Sequence, residues 1–157
     1  MKKIYGIALV MITTAMMTSC FKENQPVFDS LYLVEFQDAT ITAPALNKTF
    51  PILTVANGFG LQTRRVNLVG RQRTTEESIK FSIDAAETTA KEGVHYSLEG
   101  GVVKIPANTS FGDCKINILK APAAAGTSVT LVLVLEGNGS EVKPNENYKK
   151  LGFRITL

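Results

Sequence analysis

Few side chains in this 157-residue chain are of types that do chemistry. Cys114 and His95 could make a thiol nucleophile with its base, provided the imidazole reaches the sulfur. Cys114, Ile116 and Ile118 alternate with Asp113, Lys115 and Asn117, which sets the thiol on the apolar face of a strand. His95 is read as pointing outward from the run Val94–Leu98, so the two do not meet. Cys114 is therefore expected to act as a small buried hydrophobe. A single histidine excludes zinc sites built on several, and Cys114 lacks companions for a structural metal cluster.

Arginines form the second candidate set. Arg64, Arg65, Arg71 and Arg73 flank an apolar run at Val66–Val69, and Arg65, Arg71 and Arg73 share one parity. They would project from one face if the strand continued that far. Guanidinium forks match carboxylates and phosphates, so the chemistry would be recognition of an acidic glycan or a lipopolysaccharide phosphate. The other reading is a solvated edge strand, with Glu76 and Glu77 neutralising part of the charge.

Sugar recognition uses an aromatic ring whose face meets the pyranose, with polar groups fixing its orientation. Tryptophan is absent. Phe59, between Gly58 and Gly60, and Tyr148, beside Asn145-Glu146-Asn147, are the free-standing candidates, while Tyr96 shares an inward parity with Val94 and Leu98. A buried loop anchor is the alternative for Phe59. Two carboxylates about 5 to 9.5 Å apart, as glycoside hydrolysis needs, can come from anywhere in a chain, so the sequence leaves a small hydrolase standing as a third reading.

The elements that must position these residues are short alternating or apolar runs between turn residues. Leu31–Phe36, Phe50–Val55, Val66–Val69, Ser78–Asp84, Val94–Leu98, Val102–Ile105, Cys114–Ile118, Thr130–Leu135 and Leu151–Leu157 read as strands. Pro51 marks an edge or a strand start. Leu131 to Leu135 is apolar throughout and is expected to be a central strand covered on both faces. Thr74–Glu77 and Ala85–Lys91 are read as loops. Seven to nine short strands predict an all-β, antiparallel Greek-key sandwich of immunoglobulin-like type.

Ahead of these strands, Lys2 and Lys3 precede an uncharged apolar stretch from Ile4 to Met17, too short to span a bilayer. Met17-Thr18-Ser19-Cys20 follows and resembles the lipobox of bacterial lipoproteins. The resemblance implies a signal peptide over 1–19 and lipid on the Cys20 sulfur; the short polar stretch over 20–26 then reads as a tether, and the remaining length suits one domain over 27–157. Several acyl chains suffice for stable anchoring in a membrane. Phe21 stands where an inner-membrane retention aspartate would, so an outer-membrane destination is expected, and Lys22-Glu23 resembles a charged surface-export tag. Loss of Lys2 and Lys3 lowers the formal charge from +3 to +1, which gives no electrostatic footprint for nucleic acid. A lipidated Cys20 also leaves Cys114 without a disulfide partner.

Within the strand region, Thr89-Ala90, Gly93 and Tyr96, followed by Gly101-Val102-Val103-Lys104-Ile105-Pro106-Ala107, resemble the Calx-beta family, more loosely from about Val66 to Leu157. The resemblance implies the sandwich and raises calcium, which some of its members bind through acidic clusters at one end. Calcium wants six to eight oxygen ligands. Here the family aspartate is His95, and Lys120–Ala125 replaces an acidic run, leaving Asp84, Glu87 and Glu92. No cofactor is expected, and calcium is disfavoured. Lipoproteins of this type are often encoded near glycan-uptake systems. The expectation is a lipid-anchored, non-enzymatic surface module for an extracellular glycan or protein, with a structural subunit of an outer-membrane complex as the alternative.

Overall fold

A computed structural model describes residues 31–122 and 126–157. Cys20 and the expected signal peptide and tether lie outside them. The elements are β1 (Tyr32–Phe36), α1 (Gln37–Ile41), β2 (Ile52–Ala56), β3 (Gly60–Val69), β4 (Glu77–Ile83), β5 (Tyr96–Leu98), β6 (Val102–Ile105), β7 (Phe111–Ile118), β8 (Ser128–Gly137), β9 (Val142–Pro144) and β10 (Lys150–Thr156). They form two five-stranded sheets, ordered β5-β7-β3-β1-β9 and β2-β10-β8-β4-β6.

The inward parity of both sheets makes one core. Val34, Phe36, Val66, Cys114, Ile116 and Ile118 meet Ile79, Val103, Ile105, Leu131, Leu133, Leu135, Leu151, Phe153 and Ile155, all of them within 1% of full burial. Each large apolar side chain so buried contributes about 1.5–3 kcal/mol. The all-apolar run is covered on both faces as its composition predicts, for Leu131, Val132 and Leu133 are each fully buried in the middle strand of their sheet. Val132 shares the outer face with its register partner Gly152. The Phe50 ring lies beside Gly152, 3.3 Å from where a Cβ would stand.

Three features depart from the expectation. Ten strands among the described residues replace seven to nine, because β9 is only three residues long and ends in proline, too short to show a period. Two pairs, β1 with β9 and β2 with β10, are parallel. Both parallel pairs sit at an outer edge of their sheet, where β9 joins β1 and β2 joins β10, while the inner pairings are antiparallel. Lastly, β3 begins six residues before Val66, since its inward positions carry Gln62 and Arg64 rather than apolar residues. Arg64 is accommodated there by Gln62 Oε1 at 2.6 Å, Asp38 at 3.8 Å and the Phe153 ring at 5.7 Å. That Asp38 belongs to α1, a one-turn helix with no side-chain cap and hence no sequence signature; buried Ala39 fixes it to the core.

Candidate binding groove

The residues singled out in the sequence fall at separate places. Phe59 sits in the β2–β3 turn and is 63% exposed, so it is not a buried anchor. Arg71 and Arg73 follow the other end of β3. Ten strand residues separate the two places by about 30 Å, so they share no site. Tyr148, in the β9–β10 loop, is 38% exposed, and its carbonyl accepts the Phe36 N–H at 3.0 Å. Its loop is fixed by Asn145, whose amide donates to Glu35 at 2.8 Å.

Arg65, Arg71 and Arg73 do not extend from one strand face. β3 stops at Val69, and Gly70 adopts φ +127°, where a Cβ would stand 2.6 Å from the Leu31 carbonyl oxygen. The alternation is lost there. Arg73 turns back instead: it donates to Glu77 at 2.9 Å and Glu141 at 2.8 Å and lies over the Tyr32 ring at 4.6 Å. Glu77, buried despite its charge, also accepts from Asn138 at 2.8 Å. The hydrogen bond to Glu77, then that with Tyr32, raises the Arg73 pKa further above its ordinary value. Arg71 is exposed beside a shallow pocket of about 230 Å³.

The Thr89-Ala90 loop has a structural task. Where β4 leaves β8, the Thr88 and Thr89 hydroxyls accept the Val132 and Thr130 N–H groups at 3.0 and 2.9 Å, and the Thr130 carbonyl takes the Thr89 and Ala90 N–H groups. Tyr96 is buried as its parity predicts, and burial raises its pKa. Val94 is not: the turn over Lys91–Tyr96 breaks the alternation and leaves it 44% exposed. His95 Nδ1 accepts the Lys91 N–H at 2.9 Å, closing this turn as an aspartate oxygen would. Asp84 is held by Lys150 at 2.7 Å, which lowers its pKa, and Glu87 is bonded to Lys48. Among the described residues no three acidic, histidine or cysteine side chains gather as metal ligands. Cys114 is fully buried, and burial pushes its thiol up to about 12.

A groove forms where the two sheets part company. β5 pairs with β7 only as far as Leu98↔Ile116. Gly100 and Gly101, at φ +79° and +65°, then swing the chain into the other sheet, where β6 pairs with β4. At Gly112 a Cβ would stand 2.3 Å from the Lys104 carbonyl oxygen, so only glycine admits this approach of β6 to β7. Outside the contact lies an open groove of about 600 Å³, lined by Glu99, Val102, Lys104, Phe111, Asp113 and Lys115 among others. That is within the span of about 300–1,000 Å³ typical of ligand sites.

Phe111 is 45% exposed in this groove, with the Arg65 guanidinium stacked on it at 4.1 Å. Lys104 pairs with Glu76, whereas Glu99, Asp113 and Lys115 make no side-chain hydrogen bond or ion pair with other described residues. An exposed aromatic beside uncommitted charges of both signs can stack an apolar face and orient polar groups. Sequence reasoning missed Phe111 although a signal was present. It shares the outward parity of Asp113 and Lys115, and an aromatic ring on the polar face of an amphipathic strand calls for a partner.

No protein-family model and no curated protein sequence matches the chain. Two solved structures are similar. CBD12 from CALX1.2, a Calx-beta structure, aligns over 78% of this chain and 42% of its own length, with TM-score 0.57 and 16% identity. A proposed carbohydrate-binding protein from Bacteroides ovatus aligns over 79% of this chain and 36% of its own length, with TM-score 0.50 and 9% identity. The chain thus spans about two fifths of either structure. At such identities the likeness carries the fold: an all-β, two-sheet sandwich similar to Calx-beta domains.

Proposed function

We propose that this chain is a non-enzymatic binding module of the bacterial outer membrane, held by lipid on Cys20, which takes an extracellular glycan or protein in the β6–β7 groove. The observation that carries the site is Phe111, exposed and stacked by Arg65 among the uncommitted Glu99, Asp113 and Lys115. Both structural neighbours are binding-domain folds, which is compatible with this reading. A thiol–imidazole catalyst is disfavoured, since the Cys114 thiol is buried and stays protonated at neutral pH, while His95 Nδ1 is engaged.

The test combines a glycan array with photo-cross-linking in intact cells from a reactive residue placed at Thr109, on the groove rim. A ligand captured by the wild type and lost in Phe111→Ala supports the module. Equal capture by both proteins would move the site elsewhere. The second reading, a structural subunit of an outer-membrane complex, is favoured by the open edge that β7 presents along the groove.

A further inference from the structure

The backbone along the groove says more about the occupant than its side chains do. Leu68 N–H donates to the Ser110 carbonyl at 2.8 Å. In the antiparallel register of β3 and β7, Leu68 stands opposite Ser110, so the even-numbered residues of β7 bond towards β3. The odd-numbered ones, Phe111, Asp113, Lys115 and Asn117, turn their N–H and C=O groups to the other side. The β5 register agrees: Leu119 N–H donates to the His95 carbonyl at 3.0 Å, again an odd-numbered pair.

Continued past Leu98, β5 would pair Glu99 with Lys115 and then residue 101 with Asp113 and residue 103 with Phe111. The chain departs at Gly100–Gly101 instead, and among the described residues β7 has only β3 and β5 as neighbours in its sheet. β6 shows the same pattern. Phe81 N–H donates to the Gly101 carbonyl at 3.0 Å, so Gly101, Val103 and Ile105 bond towards β4, and Val102 and Lys104 turn their backbones to the groove. The groove therefore lies where no described strand continues the line of β5, between two edges.

Other edges of the sandwich are blunted. β9 is three residues long and ends in proline, and β2 starts after Pro51, which suits an outer strand. The edge at Phe111–Asp113 carries no such protection, since it has neither proline nor bulge.

We propose that the occupant of the groove is an extended polypeptide segment of another envelope protein, which adds as a strand to β7 in line with β5. The proposal rests on the groove being the binding site. Main-chain hydrogen bonds to Phe111 and Asp113 hold the segment, and alternate side chains are read beside the outward row of β7. Antiparallel to β7, as β5 is, the segment meets Asp113 and then Phe111, since Glu99, next after Leu98, takes the place opposite Lys115. Complementarity then asks for a basic residue opposite Asp113 and, two positions on, an apolar residue opposite Phe111. The intervening side chains stand over Val102, which is 39% exposed. A sugar ring has no need of a row of backbone groups at strand spacing, and this favours the peptide.

The test selects a displayed library of random heptapeptides on the purified full-length protein, with a glycan array in parallel. The expected winners carry the basic–x–apolar pattern and lose about tenfold or more in affinity when the peptide nitrogen facing Asp113 is methylated. Asp113→Pro removes the reciprocal donor of that pair, the groove-facing N–H of the protein, while sparing the β3 ladder, and should lower affinity similarly. The methylated peptides serve as the independent arm if that variant melts early. Peptides that bind equally well when methylated would overturn the strand geometry. Enrichment of no peptide, with a glycan bound and lost in Phe111→Ala, would overturn the peptide occupant and leave the groove reading intact. Binding of neither class would overturn both.

Discussion

The guanidinium of Arg65 lies over the ring of Phe111, with 4.1 Å between the arginine Cζ and the ring centroid. The two stand on adjacent strands, diagonal to one another: Phe111 is the register partner of Asn67, and Arg65 that of Asp113. The contact holds an exposed aromatic ring in one orientation at the groove mouth. Cation–π pairs at exposed sites contribute about 0.5–1 kcal/mol. A double-mutant cycle of Arg65→Ala and Phe111→Ala, read by urea denaturation, should give a coupling in that range. Both single variants should stay folded, because neither side chain is part of the core. Ligand capture should fall more for Phe111→Ala than for Arg65→Ala, since Phe111 lines the groove.

Arg73 is expected to support stability rather than ligand binding. Its guanidinium already serves Glu77 and Glu141 and covers Tyr32. Removing it leaves Glu77, a buried carboxylate, with Asn138 as its remaining side-chain partner. Such a loss is costly because the charge left behind is poorly solvated. Arg73→Ala should therefore lower Tm by several degrees in a thermal melt and leave ligand affinity unchanged. Arg71→Ala should leave Tm within a degree or so, as surface substitutions mostly do. A loss of adhesion to an anionic polysaccharide in Arg73→Ala at unchanged Tm would contradict this.

The buried thiol makes stability fall at alkaline pH. Cys114 has an ordinary value of 9.0, which burial raises to about 12 in the folded chain. Between those values the unfolded chain loses the proton and the folded chain keeps it, so the folded state binds more protons and stability declines as pH rises through that window. Cys114→Ala should flatten the decline from pH 9 upward relative to wild type in urea titrations. Thiol reagents should label Cys114 only at the rate of unfolding. Cys114→Ser should destabilise by about 1–3 kcal/mol, because it buries a hydroxyl without an assured partner.

At the acid end Asp84 acts in the opposite sense. The Lys150 hydrogen bond holds its pKa below the ordinary 3.8, so its stabilisation is present above that value and is lost as pH falls through the folded one. Asp84→Asn should be less stable at neutral pH and less sensitive to acid than wild type, as followed by circular dichroism. Lys150 and Lys48 bear on calcium as well. To gather Asp84 and Glu87, the ion would have to displace Lys150 and Lys48. Isothermal titration of the apo protein with calcium should show no micromolar site.

Much of the sandwich was legible in the alternation of particular residues. Ile79 and Phe81 went inward as their period demands, and so did Cys114, Ile116 and Ile118; Val132 needed cover on its second face and has it. What stayed hidden was polar matter placed inward or apolar matter placed outward. Gln62 and Arg64 masked the first half of β3, because their burial depends on Asp38 and Phe153, which are distant in sequence. Phe111 was passed over because its significance arises only where β5 leaves β7. The parity shared by Arg65, Arg71 and Arg73 misled for a local reason: one glycine at positive φ ends the period on which parity rests.

Lipid attachment has its own test. Leu31, the first described residue, lies against Gly70 at the end of the sandwich that carries Arg71, and Phe59 lies at the far end of β3. A lipid on Cys20 would join the membrane to the Arg71 end through no more than the segment 21–30, which reaches about 35 Å when fully extended. Cys20→Ala removes the acceptor sulfur and leaves every core residue in place. The variant should fold with wild-type Tm yet be released into the soluble fraction by salt and carbonate washes, whereas the wild type stays with the membrane. Metabolic labelling with a palmitate analogue should mark the wild type alone. A Cys20→Ala protein that still resisted both washes would show that anchoring does not depend on the sulfur, and the lipoprotein reading would fail while the groove remained testable in solution.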